Sequence, residues 1–462
     1  MKITENIFKA YDIRGIVGRE LNDSVIKAVG IIFGKHALKK NVKTCVVGRD
    51  GRHSGKGFIK NLVCGLRSVG IDVIDLGEVP TPVVYYGAHK FKTGTAVMIT
   101  GSHNPSNYNG LKMMIAGKTL WGEDIEKIKK DVLSLENIDD SSMQLIGNCV
   151  KKNIKHDYQT ELLKTINLSR PLKIAIDAGN GVAGEIAKDI YSKLGCEVSE
   201  LFCDINGDFP NHHPDPADPK NLEDLIHKVA GDNLDIGLAF DGDGDRLGVV
   251  SNSGKIIWPD RQLMVYAREV LKHNHNSTII FDVKCTQQLA PWIKKYNGQP
   301  LMWKTGHSII KEKLKEIGSP LAGEMSGHIF FRDRWYGFDD AIYSGARLLE
   351  IISKSDDPKT YFNSIPESIS TPELKLETTG ISCSELVERI KSNAFFPTAD
   401  NLIFIDGIRV EYSDGFGLAR PSNTTPVVVF RFEGQSKNSL LRIQAEFKQI
   451  LYKIDKELNL PF

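Results

Sequence analysis

The sequence has little that would tie it to a membrane, a nucleic acid or an oxidising compartment. It contains no run of about 18 consecutive apolar residues, the length a membrane span requires. Its N-terminus, MKITENIFKAYDIRG, lacks a charged head followed by an apolar segment. A soluble, cytoplasmic protein is the expectation. An excess of charge of one sign is also missing, since 59 Lys plus Arg face 58 Asp plus Glu for a net charge of +1. Such a balance offers no broad field to nucleic acid or anionic lipid, so an anionic ligand must be gripped locally. Cysteine is scarce: the seven residues are odd in number and scattered, with no Cys-x-x-Cys pair. That argues against a disulfide frame and against a structural zinc site, and fits a reducing compartment.

What the chain does have is length. At 462 residues it exceeds what one hydrophobic core organises, and three or four domains are expected. The first three-quarters alternates short apolar strands with helical patterns, which predicts α/β layers around a mainly parallel sheet. The alternation recurs three times, opening with KTCVVGRD (43–50), KIAIDAGNG (173–181) and STIIFDVKC (277–285). A helix follows each opening strand. The first is expected to start at Ser54 as N-cap and stop at Gly70, with Phe58, Leu62, Leu66 and Val69 as its apolar stripe, and the second to stop at Gly195. Each round then reaches a dense polar loop: TGSHNP (100–105), DGDGDR (241–246) and GEMSGH (323–328). Polar stretches near 134–153, 251–255 and 353–372 suggest domains at 1–149, 150–255 and 256–367. The remainder, 368–462, changes pattern: a helix at SCSELVERIKSN, strands near LIFIDGIRVEY and PVVVFRFEG, and a terminal helix read as a smaller α+β domain. Between those strands lies the loop RPSNTTP (420–426).

DGDGDR is the sharpest chemical signal. Carboxylates at Asp241, Asp243 and Asp245, spaced by glycines, can turn inward on one hard cation with oxygen ligands only, and Mg²⁺ is the first choice. An EF-hand is the rival, but its sixth position here is Arg246 and its twelfth Asn252, and apolar strands flank the loop. A solvated acidic turn would leave strong repulsion without a cation. TGSHNP follows the apolar strand GTAVMI, placing Ser102 at the strand end where α/β enzymes hold substrates. Alone it could be a capped turn with Pro105 at a helix start and His103 a surface residue. No Gly-x-Ser-x-Gly elbow surrounds Ser102, and a serine hydrolase would not need the acidic loop. Phosphoryl transfer accounts for both loops, with the serine oxygen carrying phosphate and the cation neutralising the spreading charge.

GEMSGH offers Glu324 and Ser326 as hydrogen-bonding readers of a polyol, and His328 has a pKa range suited to proton transfer, although a lone histidine is more often structural. RPSNTTP supplies a guanidinium, hydroxyls and an amide without an acid, which suits a phosphate monoester, and a plain polar β-turn is the alternative. Lys284 and His307 are weaker candidates at strand ends of the third unit. Gly179, Gly181 and Gly184 spell Gly-x-Gly-x-x-Gly after a strand, with Asp204 further on, so a dinucleotide site is a second enzyme reading. It would leave the serine, acidic and phosphate loops unexplained.

In this order and at these separations, TGSHNP, DGDGDR, GEMSGH and RPSNTTP resemble the four active-site loops of the α-D-phosphohexomutase superfamily, over essentially the whole chain. The segment 323–351 and KAYDIRG (9–15) are most similar to the bacterial phosphomannomutase/phosphoglucomutase group. The resemblance implies three related mixed α/β-sheet domains plus a smaller C-terminal α+β domain around a central cleft. It implies reversible interconversion of hexose 1-phosphate and hexose 6-phosphate, of mannose and/or glucose, through a phosphoserine and a bound hexose 1,6-bisphosphate, with Mg²⁺ as cofactor. By match of motif, Ser102 is the phosphoserine and, with Asp241, Asp243 and Asp245, a metal ligand; His103, Lys112, Arg246 and the general acid/base His328 complete the catalytic set. Tyr11, Arg14, Lys284, His307, Glu324, Ser326, Arg420, Ser422, Asn423 and Thr424 are the implied substrate contacts. Pro421 stands where relatives often have alanine. The implied partners are small sugar phosphates, with no nucleic acid or membrane, and the implied state is a monomer. A phosphoglucosamine mutase of the same superfamily and a non-enzymatic sugar-phosphate binder are the alternatives.

Overall fold

The structure, a computed structural model, describes residues 3–135, 144, 146–355, 357–378, 380–422 and 426–462. Three of its sheets repeat one strand plan. In the first, Thr44–Arg49 lies between the parallel strands Asp72–Glu78 and Ala96–Ile99, and the chain then returns antiparallel as Tyr108–Ile115. In the second, Lys173–Asp177 lies between Glu197–Leu201 and Ile236–Phe240, with Leu247–Ser251 antiparallel beside the latter. The third sets Thr278–Asp282 between Gln299–Trp303 and Leu321–Gly323, with Ile329–Phe331 returning. The expected threefold repeat is therefore present. Its sheets are mixed, because each parallel trio ends in an antiparallel hairpin that needs only a short connection.

The inner strands AVMI (96–99) and IGLAF (236–240) are buried along their whole length, as strands covered on both faces must be, and so they read as unbroken apolar runs. Ile13–Ile16 extends the first sheet beyond Tyr108–Ile115. Cys149–Lys151 joins the same sheet beside Asp72–Glu78 and so straddles the expected 149/150 boundary. The helix Gly55–Ser68 buries Phe58, Ile59, Leu62 and Leu66. It ends where Gly70 turns to φ +89°, and the helix Gly184–Lys193 ends likewise at Gly195, φ +96°. Ser54 occupies the N-cap position but makes no capping bond; its Oγ accepts instead from Asn109 Nδ2 at 2.8 Å, in the strand that follows the serine loop.

One core runs continuously through these units: Tyr86 of the helix Thr81–Lys90 packs on Tyr158 and Trp335, which in turn stacks on Tyr343 in the helix Ala341–Ile352. The first unit keeps a second core on its other face. The C-terminal part is an antiparallel sheet backed by the helices Cys383–Ser392 and Lys437–Ile454, capped by Ser382 and Ser436, with its own core. No helix among the described residues is long and apolar enough to cross a membrane.

Candidate active site

In each repeated unit the polar loop links the third parallel strand to the returning antiparallel one, so three chemically different loops leave three sheets at the same topological position. They meet. A Cβ on Gly242 would lie 2.5 Å from the carbonyl oxygen of Ser102, so only glycine lets the acidic loop approach the serine loop this closely. Leu247 N–H donates to the carbonyl of Gly327 at 3.2 Å, joining the acidic loop to the third loop, and Thr81 N–H donates to the Asp243 carbonyl at 2.9 Å.

Ser102 is buried and adopts φ +48°. Its Oγ donates to Asp241 Oδ2 at 2.9 Å and lies 3.2 Å from His103 Nδ1. Burial, then the cations Arg246, Arg14 and Lys112, hold His103 well below the usual histidine range, so its ring is neutral. The loop is held open by one side chain that the sequence reading did not single out. Arg52, 1% exposed, donates to the carbonyls of Ser102 (2.8 Å), Asn104 (2.5 Å), Pro105 (2.5 Å) and Tyr108 (3.0 Å) and pairs with Asp50 at 3.2 Å. Those carbonyls are therefore taken by a guanidinium, and residues 105–107 form a turn in place of the helix start that Pro105 allows. Arg14 reaches the same loop, donating to Asn104 Oδ1 at 2.5 Å.

Asp241, Asp243 and Asp245 are each fully buried and present oxygens within 4.8 Å of one another. Two cations offset them. Lys112 Nζ contacts Asp243 Oδ2 at 2.7 Å and also Asp245 Oδ2, while Arg246 Nε donates to Asp241 Oδ2 at 3.0 Å and its Nη1 lies 3.3 Å from Asp215. Burial and the neighbouring Asp243 push Asp241 and Asp245 up to about 7. Burial acts on Asp243 in the same sense, but the Lys112 ammonium and the Thr81 hydroxyl outweigh it and hold its carboxyl low. Lys112 and Arg246 thus take one oxygen, Oδ2, of each carboxylate. Asp243 Oδ1 and Asp245 Oδ1 are buried without a hydrogen-bond partner, an arrangement that native structures avoid unless an ion or water completes it. An oxygen-only donor set with such orphaned atoms fits a hard divalent cation.

Across the cleft, Asp339, fully buried, gathers Lys311 Nζ (2.8 Å), His328 Nδ1 (3.1 Å) and His307 Nδ1 (3.5 Å). The two imidazoles stack at 5.3 Å, and Tyr11 packs edge-on against His307 while its hydroxyl donates to the Thr305 carbonyl at 2.6 Å. Burial and Lys311 push His307 down to about 3. Glu324 accepts from the backbone N–H of Gly306, next to His307, and burial lifts its carboxyl to about 7. Ser326 sits half-buried beside it on the same turn. Lys284 Nζ pairs with Glu373 at 2.7 Å and lies 3.9 Å from Asp282, whose Oδ2 accepts from Thr305. Arg420 donates to Asp406 at 3.0 Å, and the same Asp406 oxygen accepts the Thr305 N–H. Ser422 is half-buried and its N–H donates to Val427. Asn423 and Thr424 lie outside the described residues. The structure thus gathers Ser102, His103, Lys112, Arg246 and the three aspartates into one contact network. His328 lies 3.6 Å from Asp245 and joins the histidine–Glu324 side to it.

The glycines of the dinucleotide-like pattern serve packing. A Cβ on Gly181 would meet the Gly242 carbonyl at 2.8 Å, and one on Gly184 the Cys203 backbone at 2.7 Å, so both let the loop after Lys173–Asp177 lie against the acidic loop and the following strand region.

A serine on a cation-ready acidic cluster, faced by a histidine and carboxylate wall, defines a phosphoryl-transfer type of site. The chain matches phosphoglucomutase/phosphomannomutase α/β/α domain I at residues 5–139, domain II at 154–254, domain III at 258–368 and the C-terminal domain at 377–450. It belongs to the phosphoglucomutase/phosphomannomutase family. A phosphoglucomutase of Neisseria meningitidis is 50% identical over 97% of both chains, and a phosphomannomutase/phosphoglucomutase of Pseudomonas putida is 48% identical over 100% of this chain and 98% of its own. A crystal structure of a family protein from Burkholderia thailandensis superposes with a TM-score of 0.93 at 49% identity, covering 100% of both chains.

Proposed function

We propose that this chain interconverts hexose 1-phosphates and hexose 6-phosphates, of mannose and/or glucose, through phosphorylated Ser102 and a bound 1,6-bisphosphate. The observation that carries this reading is the buried Ser102 hydroxyl on Asp241 at 2.9 Å, at the edge of an oxygen-only cluster with orphaned acceptors. Asp241, Asp243 and Asp245, with the Ser102 oxygen, would hold Mg²⁺, which when bound supplies Lewis-acid neutralisation of the transferring phosphoryl group. Lys112, held well above the usual lysine range by the three carboxylates against the opposing effect of burial, and Arg246 add fixed positive charge beside the serine oxygen.

In the forward half, the bond from Ser102 Oγ to phosphorus breaks as a sugar hydroxyl bonds to that phosphorus, and the hydroxyl proton passes to His328. The bisphosphate then turns over, and its other phosphoryl group returns to Ser102 with the proton given back. Glu324 and Ser326 read a sugar diol in both orientations, Arg420, Ser422, Asn423 and Thr424 hold the phosphate not in transfer, and Tyr11, Arg14, Lys284 and His307 line the cleft. His103, neutral beside the serine oxygen, orients that hydroxyl. We assign the four domains to 1–151, 152–255, 256–367 and 368–462, the first boundary moved from 149/150 because Cys149–Lys151 completes the first sheet.

The test is incubation of the protein with Mg²⁺, a trace of hexose 1,6-bisphosphate and, separately, mannose, glucose and glucosamine 1-phosphates. The mannose or glucose 6-phosphate should form, and Ser102→Ala should lower turnover by a factor of about a thousand or more. Absence of a 6-phosphate isomer from every sugar, or full turnover by the alanine variant, overturns the reading.

A further inference from the structure

Two carboxylates of the site share an unusual arrangement. Asp245 gives one oxygen to Lys112 and Asp339 gives one to Lys311, and the other oxygen of each, Asp245 Oδ1 and Asp339 Oδ2, is buried without a hydrogen-bond partner. Both orphaned oxygens face the same atom, His328 Nδ1, at 3.6 and 3.1 Å. That nitrogen also has no hydrogen-bond partner, so the short approach to Asp339 is not aligned as a hydrogen bond. One imidazole nitrogen, which offers a lone pair when unprotonated, and two carboxylate oxygens lie within 4.8 Å of one another. In a tetrahedral zinc site with bonds of about 2.0–2.1 Å, neighbouring ligand atoms stand roughly 3.3 Å apart. The two distances from His328 Nδ1 bracket that edge.

We propose that Asp245, His328 and Asp339 form a second cation site, overlapping the oxygen-only loop at Asp245 alone and selective for borderline divalent ions of the Zn²⁺ or Co²⁺ type. An imidazole in the donor set disfavours Mg²⁺ and suits these metals, and three protein ligands leave a position open to water or substrate oxygen. Lys311 on the far oxygen of Asp339 fixes the carboxylate's orientation as outer partners do in metal sites, while His307 Nδ1 stands 3.5 Å from the near oxygen, Oδ2. Because Asp245 belongs to both donor sets, an ion held by His328 withdraws a carboxylate from the Asp241 loop and occupies the proposed acid/base. The site is inhibitory. That consequence rests on the mutase reading, whereas the binding does not.

Crystals soaked in Zn²⁺ should show an anomalous peak at bonding distance from Asp245 Oδ1, His328 Nδ1 and Asp339 Oδ2. In solution, the wild-type protein titrated with Co²⁺ should develop the strong visible absorption of a low-coordinate, nitrogen-ligated ion. Asp339→Asn and His328→Gln should each weaken that binding at least tenfold, and Asp339→Asn should shift the Zn²⁺ inhibition midpoint in the same direction. An anomalous peak confined to the Asp241–Asp243–Asp245 loop, or Co²⁺ affinity unchanged in both variants, would reduce the cluster to a histidine–aspartate contact and overturn the proposal. The diffraction and absorption readouts need no turnover, so a failed mutase assay leaves them independent.

Discussion

Three carboxylates held within 4.8 Å of one another oppose folding, and the buried Lys112 and Arg246 offset that repulsion. Removing one partner of a buried pair leaves the other charged and desolvated, at a cost of roughly 3–5 kcal/mol. Lys112→Met should therefore lower the Tm of metal-free protein by several degrees. It should also enlarge the Tm gain on adding Mg²⁺, because a cation bound to the native state alone stabilises it and here takes over the missing neutralisation. Calorimetry in EDTA and in excess Mg²⁺ reads both effects; equal Mg²⁺ shifts for wild type and variant would show that Lys112 does not balance the cation-binding carboxylates. At this scale the sequence is legible only where residues form a motif. Asp241, Asp243 and Asp245 stand out by alternation with glycine, whereas Ser102, ambiguous in its own loop, gains its reading only beside them. Arg52, which holds four carbonyls in and beside the serine loop, and Asp339, which gathers two histidines and a lysine, belong to no recognised ligand spacing in the sequence. Their roles come from contacts made across long stretches of chain, which no local pattern encodes.

Strands and loops were more legible than the contacts between them. The runs VVGR, IAID and IIFD mark central strands because both faces are covered, and the α+β character of the last segment follows from its alternation and its two serine-capped helices. At the end of each parallel trio, the strand-loop-strand was legible around DGDGDR, but the antiparallel pairing was not, since pairing direction depends on what the returning strand meets in three dimensions. That hairpin is what carries the chemistry. The acidic and serine loops reach each other by backbone contact, with Gly242 against the Ser102 carbonyl, so loop separation there is set by the absence of a side chain. A methyl group at 2.5 Å cannot be accommodated without displacement. Gly242→Ala should push the two loops apart by a fraction of an ångström to an ångström. A misplacement of that size costs up to about a hundredfold in rate. Turnover should fall at least tenfold while the circular dichroism spectrum and Tm stay near wild type; unchanged turnover would mean that the serine and the aspartates do not act as one unit.

At the scale of the whole molecule, the C-terminal domain is tied to the third unit through buried charge. Arg409, 1% exposed, donates to the carbonyls of Val283 and Cys285, each at 2.7 Å, with its guanidinium 3.7 Å from the centre of the Phe416 ring. Arg431 donates to the carbonyl of Lys284, and Glu433 accepts from Thr286 Oγ1 at 2.9 Å and Gln287 N–H at 3.1 Å. These bonds all grip one turn, the residues that follow the strand Thr278–Asp282 and carry Lys284 into the cleft. The turn therefore sets how Arg420, whose charge acts on Lys284, stands against the third unit. A hydrogen bond from a charged donor contributes roughly 1.5–3 kcal/mol, and unpaired buried carbonyls cost further free energy. Arg409→Met keeps the apolar stem against Phe416 but removes both bonds, so the loss falls on the joint rather than on either domain's core. If the joint aligns a phosphate clamp with a sugar reader, KM for the hexose phosphate should rise about tenfold while kcat changes much less, because binding across the cleft suffers before chemistry at Ser102 does. Steady-state kinetics with limited proteolysis of the segment joining the two domains makes the test: faster cleavage with an unchanged KM would show that the joint stabilises the fold without orienting the substrate loops.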